Sequence, residues 1–324
     1  MGLLIDGVWY EQGYDTVSSG GRFMRESPGY RRWVSAEAGA EFPVAAGRYR
    51  LYVSLACPWA HRALIMRRLK GLVDAIDVVV VDPVMGEGGW CFVDAPGTDI
   101  EPGYGFEFLH QLYQKADPGY TGRVTTPTLW DTERETIVSN ESADIVRMFN
   151  AAFDAVAGHP ERDYYPVDLR VAIDELNAPI YEHVNNGVYK TGFATTQAAY
   201  DDAFEQVFGT LDWLDNRLAT QRYLVGGRLT EADWRLFATL VRFDAVYFSH
   251  FKCNRRRIAD YTNLSGYLRE LYQHPGVAET VAFDHIKTHY YRSHPSINAN
   301  GIVPKGPELA LTAAPGRTHL PANE

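Results

Sequence analysis

The stretch from Arg48 to Leu72 constrains the fold of this chain more than any other. Arg48 to Ser54 alternates apolar residues (Tyr49, Leu51, Val53) with polar or amphipathic ones, the period of a half-buried strand. After Leu55-Ala56-Cys57-Pro58-Trp59-Ala60-His61-Arg62, the residues Ile65, Leu69 and Leu72 recur at i, i+4 and i+7, the apolar stripe of a helix that ends near Gly71. Pro58 suits the first helical position, where its missing N–H costs nothing, and this makes Cys57 the N-cap. A sulfur there faces unpaired backbone N–H groups and the positive end of the helix dipole, which favour the thiolate. The plainer reading of Cys57 is a buried, inert core cysteine. Ala60 stands where a Cys-x-x-Cys motif would carry its second thiol, so a reactive Cys57 would need an external thiol to complete a cycle.

Downstream, Ile76 to Val81 is a short run, apolar except for Asp77 and closed by Asp82-Pro83, as expected of a buried parallel strand. A glycine-rich stretch over 83–120 holds one helix candidate, Gly105 to Lys115. Thr126-Pro127 precedes a strand over Thr128 to Trp130, and Thr136 to Val138 is its hairpin partner across a turn at Asp131 to Arg134. Ser139-Asn140-Glu141-Ser142 then opens a helix running to about Phe153. The order β-α-β-α-β-β-α is that of a thioredoxin-like domain. Gly158 to Pro166 is rich in breakers and reads as a linker. Beyond it the strand signals stop, and helical patterns follow at 167–186, 196–219, 230–244, 262–273 and 275–284. Thr230 with Asp233 three positions on is a variant capping box.

These readings give an α+β chain of two domains. Residues 1–45 form an N-terminal extension with no sustained period, in which Trp9, Tyr10, Phe23, Tyr30 and Trp33 can pack. Residues 46–155 form the thioredoxin-like α/β domain, 165–304 an all-α domain, and 305–324 a tail, extended or mobile, with Pro307, Pro315 and Pro321. A length of 324 residues with 46% hydrophobic content suits two ordinary cores.

The net charge of −10 argues against a general binder of nucleic acid or anionic membrane. Arg255-Arg256-Arg257 is too short to change that and reads as a solvated face or ion-pair cluster. Three cysteines fit a reducing compartment rather than a disulfide framework. Asp6 interrupts the apolar start and stands where a myristoylation signal needs Ser or Thr. No apolar run approaches a membrane span. The expectation is a soluble cytoplasmic protein.

Three further positions bear chemistry. Thr126-Pro127 beside a strand suggests a cis peptide, which would expose the backbone of Thr126 to pair with a peptide thiol; a trans proline starting an edge strand is equally consistent with the local sequence. Glu141-Ser142 at a helix start can hold an amino-acid head group, carboxylate on the N–H groups and Ser142, ammonium on Glu141. Plain helix capping is the simpler alternative. His285 and His289 are spaced i, i+4, with His294 beyond, but no acidic or cysteine ligand is patterned with them, so no metal site is expected. Cys91 and Cys253 lack cap signals and read as structural. Among 20 tyrosines, Tyr189, Tyr247 and Tyr290 lie in separate segments that periodicity does not distinguish.

In combination, the segments resemble the glutathionyl-hydroquinone reductases, the xi class of glutathione transferases. The matching pieces are Cys57 to Arg62, Gly89-Trp90, Arg123 to Pro127, Ser139 to Ser142, Gly187 to Ala194, Arg242 to Tyr247, His250-Phe251-Lys252-Cys253-Asn254 and His289 to His294. The likeness runs in order from about 1 to 304. It implies a thioredoxin-like domain plus a helical domain, usually as a homodimer, and reduction of glutathionyl-hydroquinones by glutathione to hydroquinone and glutathione disulfide. By the same resemblance Cys57 is the nucleophile, and Trp90, Arg123, Val124, Thr125, Thr126, Glu141 and Ser142 hold glutathione. Tyr189 is the proton donor, with Tyr247 and Tyr290 supporting the thiolate and lining an aromatic pocket. The family commonly has Val where this chain has Thr126, whose backbone contacts do not depend on the side chain.

The chemistry is coherent on its own terms. A thiolate at Cys57 attacks the sulfur joining glutathione to the ring, and the ring carbon is too basic to leave without a proton. A neutral tyrosine can supply it, and a second glutathione must clear the resulting mixed disulfide. An omega-like thioltransferase or dehydroascorbate reductase would share Cys57 without needing Tyr189. A non-catalytic binding module on a transferase fold would need neither.

Overall fold

The computed structural model describes residues 2–322, and the chain divides into two compact units. Among the described residues the first comprises 2–13, 26–163 and 280–302; the second comprises 14–25, 164–279 and 303–322. Two segments therefore fall in a different unit from the one that their sequence neighbours suggest. Residues 280–302, which carry Tyr290, belong with the thioredoxin-like unit, and residues 14–25 belong with the helical one.

The first unit is built on a four-stranded mixed sheet. Its central strands are β5 (Tyr49–Val53), parallel to β6 (Ile76–Val80) and antiparallel to β8 (Thr128–Asp131), which pairs with β9 (Thr136–Ser139). Helix α1 (Pro58–Leu69) follows β5, α2 (Leu109–Ala116) lies between β6 and β8, and α3 (Ser142–Arg147) continues into a π-helical turn over Met148–Ala152. The core joins Tyr52, Val79, Leu109, Leu112, Tyr113 and Trp130, all almost fully buried.

The N-terminus adds structure that the sequence reading left irregular. Strands β1 (Leu3–Ile5) and β2 (Val8–Tyr10) form a hairpin, and β1 also pairs antiparallel with β7 (Gly122–Arg123). Asp6 and Gly7 both have positive φ, 47° and 76°, as a tight two-residue hairpin turn requires. Leu4 carries this hairpin into the core. A short parallel pair, β3 (Val34–Ser35) with β4 (Phe42–Pro43), completes the strands.

The second unit is helical: α4 (Arg170–Pro179), α5 (Gly187–Gly192), α6 (Gln197–Leu218), α7 (Glu231–Arg242) and α8 (Leu264–Tyr272). The Thr230 capping box is formed, with Thr230 N donating to Asp233 at 2.8 Å. Asp233 is fully buried and also accepts from Leu224 N and the Tyr267 hydroxyl, so one carboxylate ties three segments together. Each arginine of the run 255–257 has a carboxylate partner: Glu205, Asp212 and Asp260 respectively.

Two expectations need correction. The helix read at 275–284 is absent: Pro275 and Gly276 (φ +85°) break it, Ala278–Thr280 makes only a 3-10 turn, and α9 runs from Phe283 to Arg292 in the first unit. The tail is extended but docked. Arg317 is 4% exposed and donates to Gln221 O and Arg222 O, and Leu311 and Leu320 are buried. A Cβ on Gly266 would stand 2.5 Å from Pro315 O, so this glycine lets the tail lie against α8.

Candidate active site

Cys57 is the N-cap of α1, in extended conformation, with Pro58 at the first helical position. The loop from β5 is fixed by Cys57 N donating to Ser54 O at 3.1 Å and Ala56 N to the Ser54 hydroxyl at 3.3 Å. Ala60 N lies 3.5 Å from Cys57 Sγ and directs its N–H at the sulfur, while Sγ lies 3.3 Å from Thr126 O. As a thiol, Cys57 donates to that carbonyl; as a thiolate it keeps the Ala60 N–H and the helix N-terminus.

Thr126-Pro127 is cis, which turns the Thr126 carbonyl toward the sulfur. The Thr126 hydroxyl is buried without a hydrogen-bond partner among the described residues. Thr125 has its backbone engaged, its carbonyl accepting from Tyr113 and Thr128 hydroxyls, and its own hydroxyl accepting from Asn140 Nδ2. Val124 packs in the core. Arg123 holds its own chain: its guanidinium donates to Gln12 O at 2.6 Å and Gly13 O at 2.9 Å and pairs with Glu26. Glu141 is the N-cap of α3, accepting from Ala143 N at 2.8 Å, beside the buried Ser142. The capping role is thus present at this pair.

Trp90 and Tyr290 lie in the same unit as Cys57. The Trp90 ring stacks on His289 with centroids 4.9 Å apart. His289 Nδ1 is 2.9 Å from Pro83 O, a carbonyl that can only accept, so Nδ1 carries the proton. Tyr290 is almost fully buried against His289 and His294. This set places His289 and His294, two of the three histidines, in aromatic packing. Among the described residues no group of three or more His, Cys, Asp or Glu is placed to hold a metal ion.

In the helical unit Tyr189 and Tyr247 meet, with ring centroids 6.1 Å apart. Tyr189 is half-buried on α5, and Tyr247 closes a π-helical turn, Phe243–Tyr247, that extends α7. Both rings contact Phe251, at 5.4 Å and 5.5 Å. Sequence reasoning missed Arg25, whose guanidinium lies 4.9 Å from the Tyr189 ring centre; nothing in the pattern around Gly20-Gly21-Arg22-Phe23 signals it.

Cys57 is itself buried, and what sets it apart is its place at a helix start: neither Cys91 nor Cys253 is a helix N-cap among the described residues. Cys253 is fully buried, and burial pushes its thiol well above the usual thiol range. Cys91 is half-buried and is shifted upward by burial and by the Asp82 charge.

A thioredoxin-like unit with an N-capping cysteine and a cis-proline, joined to a helical unit, is the architecture of a glutathione transferase. Family models described as the glutathione S-transferase N-terminal and C-terminal domains match residues 56–152 and 197–270. The glutathionyl-hydroquinone reductase YqjG of Escherichia coli K12 is 57% identical, with 98% of each chain covered. A xi-class glutathione transferase structure from Natrialba magadii matches with a TM-score of 0.93 at 48% identity, covering 100% of this chain and 98% of that one. The glutathione-bound structure of YqjG matches with a TM-score of 0.89 at 54% identity, covering 98% and 99%. The chain belongs to the xi-class glutathione transferases, the family of the glutathionyl-hydroquinone reductases.

Proposed function

We infer that this protein reduces glutathionyl-hydroquinones with glutathione, releasing a hydroquinone and glutathione disulfide. The observation that carries the mechanism is Cys57 as N-cap of α1, with an N–H aimed at its sulfur and Ala60 where a resolving thiol would stand. The Cys57 thiolate attacks the sulfur that links glutathione to the ring. A Cys57–glutathione disulfide forms, the carbon–sulfur bond breaks, and its electron pair goes to the ring carbon. In our assignment Tyr189 gives that carbon a proton, so the ring is reduced by two electrons as the two sulfurs are oxidised. A second glutathione donates its thiol proton to the Tyr189 phenolate, and its thiolate cleaves the mixed disulfide to restore Cys57.

Glutathione is thus co-substrate, and we assign its contacts to Trp90, the Val124 to Thr126 backbone, Glu141 and Ser142. The cis peptide at Thr126, which presents a backbone carbonyl beside the sulfur, supports this assignment. The role of Arg123 in our reading is indirect, through the segment Gln12-Gly13 and Glu26 that it holds. On the family likeness we assign Tyr247 and Tyr290 to support of the anion. We also propose a homodimer, on the family likeness, and a cytoplasmic location, for which the three unpaired cysteines speak.

The test is product stoichiometry. Incubation with a glutathionyl-hydroquinone and glutathione should yield hydroquinone and glutathione disulfide one to one. Reduction of mixed disulfides alone, with the carbon–sulfur bond left intact, would reassign the protein as a thioltransferase. Sedimentation velocity reads the oligomeric state, and a monomer at micromolar concentration would remove the dimer.

A further inference from the structure

Arg25 ends the segment 14–25, which docks on the helical unit away from its sequence neighbours. The docking is specific. Thr195 N donates to Gly21 O at 3.0 Å, the Thr196 hydroxyl donates to Gly20 O at 3.0 Å, and Arg22 pairs with Asp202 at 2.7 Å. Gly21 has φ +89°, and a Cβ there would stand 2.4 Å from Thr196 Oγ1, so the approach requires glycine. Phe23 then inserts its ring against Tyr14 and Phe193.

This anchoring places the Arg25 guanidinium 5.1 Å from the Phe23 ring centre and 4.9 Å from that of Tyr189. Arg25 Nε donates to Asn186 Oδ1 at 2.8 Å, and Asn186 is the residue that precedes α5, the helix carrying Tyr189. The cation is therefore held over the ring from the same element that positions the ring.

We propose that Arg25 is a positioning residue for the proton transfer, holding the Tyr189 ring and stabilising the negative charge that develops on it as its proton leaves. This deepens the assignment of Tyr189 as donor and rests on it. A guanidinium over a neutral phenol gains a modest cation–π attraction; over a ring becoming phenolate it gains a charge–charge attraction as well. The interaction is thus stronger in the transition state than in the ground state, which is the condition for accelerating the step. Arginine keeps its charge at every working pH, and its planar fork suits a face-on contact with one N–H left for Asn186.

The test compares Arg25→Met, Arg25→Lys, Tyr189→Phe and the double variant Arg25→Met/Tyr189→Phe. Two readouts are taken on each: the single-turnover rate of hydroquinone release from a glutathionyl-hydroquinone, with its concentration dependence, and glutathione-dependent reduction of a mixed disulfide, which needs Cys57 but no proton donor to carbon. Arg25→Met should slow hydroquinone release roughly tenfold with half-saturation and disulfide reduction unchanged, and Arg25→Lys should recover part of the rate. In the Tyr189→Phe background, Arg25→Met should change the rate by less than about twofold, because the group it acts through is gone. Equal losses in both reactions, or full additivity in the double variant, would overturn the role of Arg25 while leaving the donor in place. An undiminished rate in Tyr189→Phe would overturn the donor and the role of Arg25 with it.

Discussion

The backbone N–H of Ala60 is aimed at Cys57 Sγ from 3.5 Å, so the residue that replaces a resolving thiol supplies the hydrogen bond that caps the helix. One position thereby sets two properties of the site. The sulfur has a donor that persists when it is ionised, and position 60 offers no second thiol.

Cys57→Ser separates cap from nucleophile. Serine is a strongly preferred N-cap, so the variant should unfold at the same denaturant concentration as the parent or slightly higher, within about 0.5 kcal/mol. Hydroquinone release should nonetheless fall to background. Urea unfolding followed by circular dichroism reads the first quantity and product chromatography the second.

The three thiols should label in a fixed order. At pH 8 iodoacetamide should reach Cys57 first and Cys91 slowly, because burial and Asp82 disfavour the Cys91 thiolate. Cys253, fully buried with its thiol shifted well upward, should label only on unfolding. Peptide mapping by mass spectrometry resolves the order, and early labelling of Cys253 would contradict it.

Arg317 should matter to stability far beyond its place near the C-terminus. Its guanidinium donates to Gln221 O and Arg222 O and lies 3.4 Å from Glu270 Oε2, all with 4% of the side chain exposed. Arg317→Ala strands part-buried acceptors and leaves the Glu270 carboxylate with one partner fewer, and should cost about 1 kcal/mol in urea unfolding, and Arg317→Lys should recover little because it lacks the fork. A loss under about 0.5 kcal/mol would show that the tail contributes nothing.

His250 should make the fold acid-sensitive. Burial, with the Lys252 charge adding to it, pushes its imidazole down to about 4. An unfolded histidine takes up its proton near pH 6.5, so between about 6.5 and 4 the unfolded chain binds more protons than the folded one. The stability from this group is whole above that window and is lost as pH falls through it, at no more than about 1.4 kcal/mol per pH unit. His250→Gln should flatten the dependence of unfolding free energy on pH between 6.5 and 4; an unchanged slope would assign the effect to carboxylates.

Much of this site was legible in the sequence because its signals are local. Cys57 before Pro58 is a cap signature independent of the rest of the chain, and β6 announces itself as an apolar run between breakers. The N-terminal hairpin went unread because strands of three residues are too short to show a period, although Asp6-Gly7 carries the turn chemistry. The helix read at 275–284 does not form because the backbone turns at Pro275-Gly276, and α9 starts only at Phe283. Arg25 over Tyr189 could not be read at all. A contact between a loop residue and a helix so far along the chain depends on tertiary packing, and no periodicity encodes it. The meeting of Tyr189 and Tyr247 on Phe251 is of the same kind: the family resemblance named the two tyrosines but not their contact.

The measurement that bears most directly on the account is one turnover of enzyme with a glutathionyl-hydroquinone in the absence of free glutathione, with intact protein mass recorded on the same sample. The account predicts one equivalent of hydroquinone together with one glutathione adduct on the protein, an adduct that a later addition of glutathione removes and that Cys57→Ser never forms. Hydroquinone released without an adduct, or an adduct that persists in Cys57→Ser, would contradict it.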